Sequence, residues 1–218
     1  SIRSRAPYND SSITSPHQSE GQRRYKKRGT STSPKNRFES NAHEDNFEDF
    51  EHLAEEVLDE RNVSTTFTFD QSKSILTKND SPDVCFTYSL NPYRGCMHAC
   101  AYCYARPTHE MLGMNAGLDF ETRVLVKHDA AALLRQALNK PSWKGDVIAI
   151  SGVTDCYQPV ERKLALTRAC LKVLADFRNP VGIITKNHLV TRDIDILKEM
   201  ASYNGAAVNI SLTTLDAD

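Results

Sequence analysis

The chain predicts an α/β fold built from parallel strand–helix units, and three observations lead there. From about Ser74 onward, five short apolar runs alternate with segments of helical periodicity. The polar residues that interrupt these runs fall at their carboxyl ends, where a barrel of such units gathers its chemistry. Three cysteines, Cys96, Cys100 and Cys103, crowd into the loop after the first run.

Each element has a local reason. Val63–Phe69 alternates Thr and Phe and predicts a short edge strand. Cys85–Leu90 reads as the first strand of the series, leading into the cysteine loop. Pro107 opens a short helix that Gly113 closes. Arg123–Lys127 is the second strand. Asp129 then caps a helix carrying Leu133, Leu134, Ala137 and Leu138, stopped near Pro141. Asp146–Gly152 is the third strand, apolar almost throughout, as expected when both faces are covered. Pro159 and Glu161 begin a long helix with Leu164, Leu171, Leu174 and Phe177 facing inward, ending before Pro180. Val181–Lys186 is the fourth strand. Thr191 caps a helix with Ile194, Leu197 and Met200 inside, closed by Asn204-Gly205. Ala207–Thr213 is the fifth strand.

Residues 1–62 stand apart as a low-complexity, disordered tail; residues 63–218 form the core. Ser1–Ser40 is rich in Ser, Thr, Pro, Gln, Asn and Arg, too poor in apolar surface to offset ordering entropy. The basic run Arg23–Arg28 reads as a solvated stretch of that tail. Phe47, Phe50, Leu53, Val57 and Leu58 predict a helix within 44–60. The chain begins at Ser1 rather than Met and stops just after an apparent strand, so it is read as a fragment.

Its 218 residues carry a formal charge of −1, which argues for neither a general nucleic-acid coat nor a membrane surface. No apolar stretch approaches a spanning length and no secretory pattern opens the chain; the expectation is a cytoplasmic protein with no membrane partner. Six unevenly spaced cysteines in a chain of this length fit metal binding in a reducing compartment better than disulfide staples. Cys85 and Cys170 lie in apolar patterns and read as buried thiols.

The loop C-x3-C-x2-C supplies three thiolates from one turn, whereas a [4Fe-4S] cube ordinarily takes four. One iron is then left for a small molecule, by the open-position logic of catalytic metal sites. Gly95 permits the tight turn, and Ala99 and Ala101 leave room. The competing reading is a non-enzymatic, zinc-stabilised nucleic-acid-binding module with the basic tail as its arm. It needs a fourth zinc ligand, for which His98 and His109 are poorly spaced.

The run Asn91–Arg106 resembles the C-x3-C-x-aromatic-C motif of the radical SAM (S-adenosylmethionine) enzymes, with Tyr102 at the aromatic position. Leu90–Gly95, Tyr102–Arg106, Thr154–Pro159 and Ile184–Lys186 are most similar to the spore photoproduct lyase-like "DNA repair photolyase" group. The similarity runs from about Ser81 to the end and is densest over Ser89–Pro107.

The resemblance implies a partial, TIM-like (β/α)6 barrel, here truncated after the fifth strand. It implies a lyase-like radical SAM enzyme in which Cys96, Cys100 and Cys103 hold a [4Fe-4S] cluster. The amino and carboxylate groups of SAM complete the fourth iron, and one electron from the cluster cleaves SAM reductively to a 5′-deoxyadenosyl radical. Flavodoxin or ferredoxin would donate that electron. A nucleic acid lesion or modified base is the implied substrate. Tyr102 would contact the adenosine, Thr154 and Asp155 SAM or substrate, Lys186 the SAM carboxylate and Ser211 its amino acid moiety. A departure concerns the hydrogen-donating cysteine of spore photoproduct lyase, whose position falls on Gly152; Cys156 is the nearby catalytic candidate.

Overall fold

The computed structural model describes residues 64–84 and 86–215. The expectations for residues 1–62, the helix within 44–60, the basic run Arg23–Arg28, Val63 and Cys85 lie outside the described residues.

Eight strands fall into two sheets. They are β1 (Thr66–Phe69), β2 (Leu76–Lys78), β3 (Tyr88–Leu90), β4 (Tyr93–Arg94), β5 (Arg123–Val126), β6 (Ile148–Ile150), β7 (Val181–Thr185) and β8 (Ala206–Ile210). The larger sheet has the order β2-β3-β6-β7-β8, with β2 antiparallel at one edge and the other four strands parallel. Its register aligns Leu90, Ile150, Ile183 and Val208 across the parallel strands. β6 is buried at every residue, as its unbroken Ile-Ala-Ile demands. In β7 the burial alternates, and Val181, Ile183 and Thr185 face inward.

One expectation is corrected here. Arg123–Lys127 forms a strand, but β5 does not join the parallel series. It lies between β1, parallel to it, and β4, antiparallel to it, in a separate sheet of order β1-β5-β4. The described parallel series therefore has four strands, not five, and β3 bonds directly to β6. The chain doubles back within two residues of β3, so that Tyr93 meets Val126 and Arg94 meets Leu125. Phe67, Tyr93, Val124 and Val126 then close a second apolar cluster of their own. The edge strand expected near Val63–Phe69 is present as β1.

Helices α1 (Leu118–Thr122), α2 (Ala130–Leu138), α3 (Glu161–Leu164), α4 (Leu166–Asp176) and α5 (Ile194–Ala201) follow, with 3-10 helices at Arg106–Leu112 and His188–Asp193. Leu134 and Leu138 of α2, Leu171 and Leu174 of α4 and Met200 of α5 bury against Leu90, Ile148, Ile150 and Ile183. Each fully buried side chain of this kind contributes roughly 1.5–3 kcal/mol. Pro107 and left-handed Gly113 bound the first 3-10 helix as expected; α5 stops at Ala201 with Ser202 as its C-cap, and left-handed Asn204 follows in the turn.

Three helix details differ from expectation. The long helix after Pro159 is broken at Ala165, which is left-handed (φ 51°), giving α3 and α4. Asp129 stands at the start of α2 without a capping bond from its side chain. Asp193, not Thr191, stands at the start of α5, without a side-chain capping bond; Asn187 caps the preceding 3-10 helix by accepting from the Leu189 N–H, and Thr191 lies inside that helix and donates to His188 O. Ile194 is 56% exposed and Ile196 is buried in its stead, because the extra turn rotates the helix face. Among the described residues no helix is long and apolar enough to cross a membrane.

Candidate metal and cofactor site

A cavity of about 930 Å³ opens beside the carboxyl ends of the parallel strands. Cys96, Cys100 and Cys103 line it from the loop after β3 and β4. Ser151–Asp155 enter after β6, Lys186 after β7 and Ser211 after β8. The β2–β3 hairpin closes one side with Val84 and Phe86.

The cysteine loop is held by hydrogen bonds more than by packing. At Gly95 (φ 82°) a Cβ would come within 2.9 Å of Arg123 O and 3.1 Å of Phe120 O, so only glycine fits. The next N–H, of Cys96, donates to Phe120 O at 2.8 Å. Gln158 brackets Cys96, its Nε2 donating to Gly95 O (3.1 Å) and its Oε1 accepting from Met97 N (3.0 Å). Arg106 holds the middle of the loop through Nε to Cys100 O (3.0 Å). Its other nitrogens reach Ala116 O, Gly117 O and Glu121 Oε1 at 3.2, 3.0 and 2.5 Å. Asn91 Oδ1 accepts from the N–H groups of Val153 and Thr154, joining the exits of β3 and β6.

The electrostatics divide the three thiols. Burial pushes the Cys96 thiol up to about 12, against opposing backbone hydrogen bonds at Asp155 and His98. Cys100 instead faces a cation, with Lys186 Nζ at 3.0 Å from its Sγ. The same ammonium is 3.1 Å from the Tyr102 hydroxyl and 5.1 Å from its ring centroid. Burial pulls the Lys186 pKa down, but the hydrogen bonds to Cys100 and Tyr102 outweigh it and hold the pKa above the usual lysine value. His98 is pushed below the usual imidazole value by burial; Asp155, with Oδ2 at 3.6 Å, opposes this and Lys186 reinforces it.

A protein-family model described as the radical SAM superfamily matches residues 90–218. The chain belongs to the radical SAM superfamily. Members of that superfamily use a [4Fe-4S] cluster and S-adenosylmethionine, together with a reductant. An uncharacterized protein of Mycobacterium tuberculosis is 44% identical over 133 residues, covering 61% of this chain and 39% of that protein. An uncharacterized protein of Methanocaldococcus jannaschii is 37% identical over 123 residues, covering 56% of this chain and 44% of its own length. The chain thus spans less than half the length of these relatives. No solved structure matches it.

Three thiols are the donor type that an iron–sulfur cluster takes. Cys96, Cys100 and Cys103 are all free of disulfides and all face one cavity. Among the described residues, no group of three or more His, Cys, Asp or Glu side chains, the three cysteines included, is arranged to hold a metal ion as it stands. His109 does not line the cavity that the cysteines share; it is fully buried and its Nε2 lies 2.9 Å from Arg123 O.

Tyr102, Thr154, Asp155, Lys186 and Ser211 all line the cavity, so the fold brings together the residues that the radical SAM resemblance singled out. Their side chains differ in what they can offer a ligand. Tyr102 is 70% exposed and Lys186 points into the cavity. Thr154 donates its hydroxyl to Tyr93 O at 3.0 Å. Asp155 is occupied by Thr185 Oγ1 (2.7 Å), Tyr157 N (2.9 Å) and Lys186 N (2.9 Å). Ser211 is exposed and is tied by its N–H to Thr185 O. Cys156 lies elsewhere, fully buried in the apolar core and absent from the cavity wall. Gln158, Arg106 and Asn91 lie inside the motifs quoted above, but their supporting roles escaped the sequence reading, since side-chain bonds to backbone leave no periodic signal.

Proposed function

We propose that this domain is the cofactor-binding part of a lyase-like radical SAM enzyme of the spore photoproduct lyase-like group. The observation that carries the reading is the exposure of Cys96, Cys100 and Cys103 to one cavity at the ends of parallel strands. Those three side chains would hold a [4Fe-4S] cluster. When bound, the cluster supplies the electron that cleaves SAM reductively to a 5′-deoxyadenosyl radical.

The chain's own residues bind and orient. Lys186 offers an ammonium beside Cys100 that suits the SAM carboxylate, and Tyr102 offers an exposed ring for the adenosine. The serine hydroxyl at 211 suits the amino acid moiety of SAM. Thr154 and Asp155 act through the backbone they bind, keeping the exits of β4, β6 and β7 in register. We further propose a partial (β/α)6 barrel for the complete domain, cytoplasmic location, and flavodoxin or ferredoxin as reductant. The substrate on this reading is a nucleic acid lesion or modified base, supported by the flanking motifs Thr154–Pro159 and Ile184–Lys186.

The test is anaerobic iron–sulfide reconstitution of the complete protein, followed by electron paramagnetic resonance and assay for 5′-deoxyadenosine. A cluster whose spectrum SAM perturbs, lost on replacing any of the three cysteines by alanine, is the expected result. Absence of a cluster, or one indifferent to SAM, overturns the proposal. SAM turnover that no nucleic acid alters would remove the substrate assignment alone.

A further inference from the structure

Gln158 lines no part of the cavity, yet its fully buried side-chain amide brackets the first cysteine of the loop. It donates to the carbonyl before Cys96 and accepts from the N–H after it, at 3.1 and 3.0 Å, across 63 and 61 residues of chain. This reciprocal pair is what a neighbouring strand would provide, and it needs a donor and an acceptor on one side chain. Leucine or methionine would fill the space and bond neither group. Glutamate would accept from Met97 but set an oxygen against the Gly95 carbonyl.

The amide is itself well anchored. The Gln158 N–H donates to Asp155 O at 3.3 Å, and its carbonyl accepts from Glu161 N at 2.9 Å. Asp155, in the same turn, holds Thr185 Oγ1 and the N–H of Lys186. One turn after β6 thus grips the Cys96 peptide with one residue and the end of β7 with another.

We propose that Gln158 is a positioning residue for the cluster-ligating loop, fixing the backbone on either side of Cys96 so that its thiol keeps register with Cys100 and Cys103. This rests on the reading of the three cysteines as cluster ligands.

The experiment compares the complete protein with its Gln158→Met, Gln158→Glu and Leu174→Ala variants. Leu174 sits in the apolar core cluster, apart from the residues that pack around Cys96. Loss of an outer partner of a metal ligand typically weakens a site by about tenfold or more. Gln158→Met is therefore expected to release iron to a chelator about tenfold faster than wild type, with an altered paramagnetic signature. Gln158→Glu, keeping one bond, should fall between, and it carries the comparison should the methionine variant not fold. Leu174→Ala should lower Tm while leaving both cluster readouts at the wild-type value. Wild-type iron release and signature in the Gln158 variants overturn the inference, as does an equal change in Leu174→Ala.

Should wild type itself take up no cluster, the reading of the site fails, and alkylation of Cys96 in the metal-free chain decides the question separately. Mass spectrometry should then find Cys96 modified several-fold faster in Gln158→Met than in Leu174→Ala. Equal rates overturn the role of Gln158.

Discussion

The five-stranded layer and the cysteine loop are held by different forces. Leu90, Ile148, Ile150 and Ile183 meet Leu134, Leu171, Leu174 and Met200 in a continuous apolar core. The loop has a smaller apolar cluster, Cys96, Ala105 and Phe120, and depends on Gln158 and Arg106 bonding its backbone, while Asn91 ties the exit of β6 to that of β3. Apolar burial stabilises without direction, whereas hydrogen bonds fix where a backbone atom lies. A layer that only supports can use the first; a loop that must aim three thiols needs the second. Between them runs a buried charged seam. Glu161 accepts from Tyr93 Oη, Arg192 Nη2, Thr167 N and Arg168 N, and Asp193 accepts from Arg168, Arg192 and Tyr157.

The sharpest way to break this arrangement is at the seam. Asp193→Ala removes a fully buried acceptor from Tyr157, Arg168 and Arg192, of which the arginines keep Asp195 and Glu161, and should cost about 3–5 kcal/mol in urea unfolding. A cost near zero would mean that the seam adds nothing to the joint. Next, Leu174→Ala should cost about 3 kcal/mol through a core cavity, with the loop's cluster uptake unchanged. Arg106→Lys inverts that pattern. It removes the fork shared by three carbonyls and Glu121, costs about 1–3 kcal/mol, and should lower iron retention as well. Unchanged iron retention would show that the middle of the loop needs no clasp.

Acid should act on the loop side through His109. Burial is the leading cause that holds its pKa below the usual imidazole value, so the folded state resists taking up a proton that the unfolded state accepts. Its contribution is complete above the ordinary pKa, about 6.5, and is lost as pH falls below it, by up to about 1.4 kcal/mol per pH unit. His109→Gln should flatten that slope in urea melts between about pH 7.5 and 5.5. An equal slope in both proteins would move the effect to another group. Smallest of all, Arg135→Ala removes a half-exposed pair with Asp176 and should change stability by about 0.5 kcal/mol or less.

Much of this was legible in the chain. The strand runs near Leu90, Ile150, Ile183 and Val208 declared themselves by apolar content, and their carboxyl ends did carry the polar residues that reach the cavity. What periodicity reports is which face of a segment is buried, not which strand it bonds. Hence Arg123–Val126 was recognisable as a strand, while its membership in the smaller sheet was not. The break at Ala165 left no mark, because alanine is the best helix former and gives no warning of a left-handed turn. The break matters, since it lets Glu161 receive the N–H groups of Thr167 and Arg168 at the start of α4. The cysteine trio was evident from spacing; Gln158 lies too far along the chain for spacing to reveal, and Arg106, six residues from Cys100, carries no pattern that marks it as a clasp.

Asp155 and Lys186 form one small asymmetry with a lasting effect. The acid is fully engaged by Thr185, Tyr157 and the lysine's own main chain, whereas the lysine's charged tip reaches Cys100 and Tyr102. Both residues line the cavity, so a visiting molecule meets a lysine tip beside a carboxylate that already accepts three hydrogen bonds. An acid group entering at that end would find the ammonium within reach, and an amine would have to compete for a carboxylate already bonded.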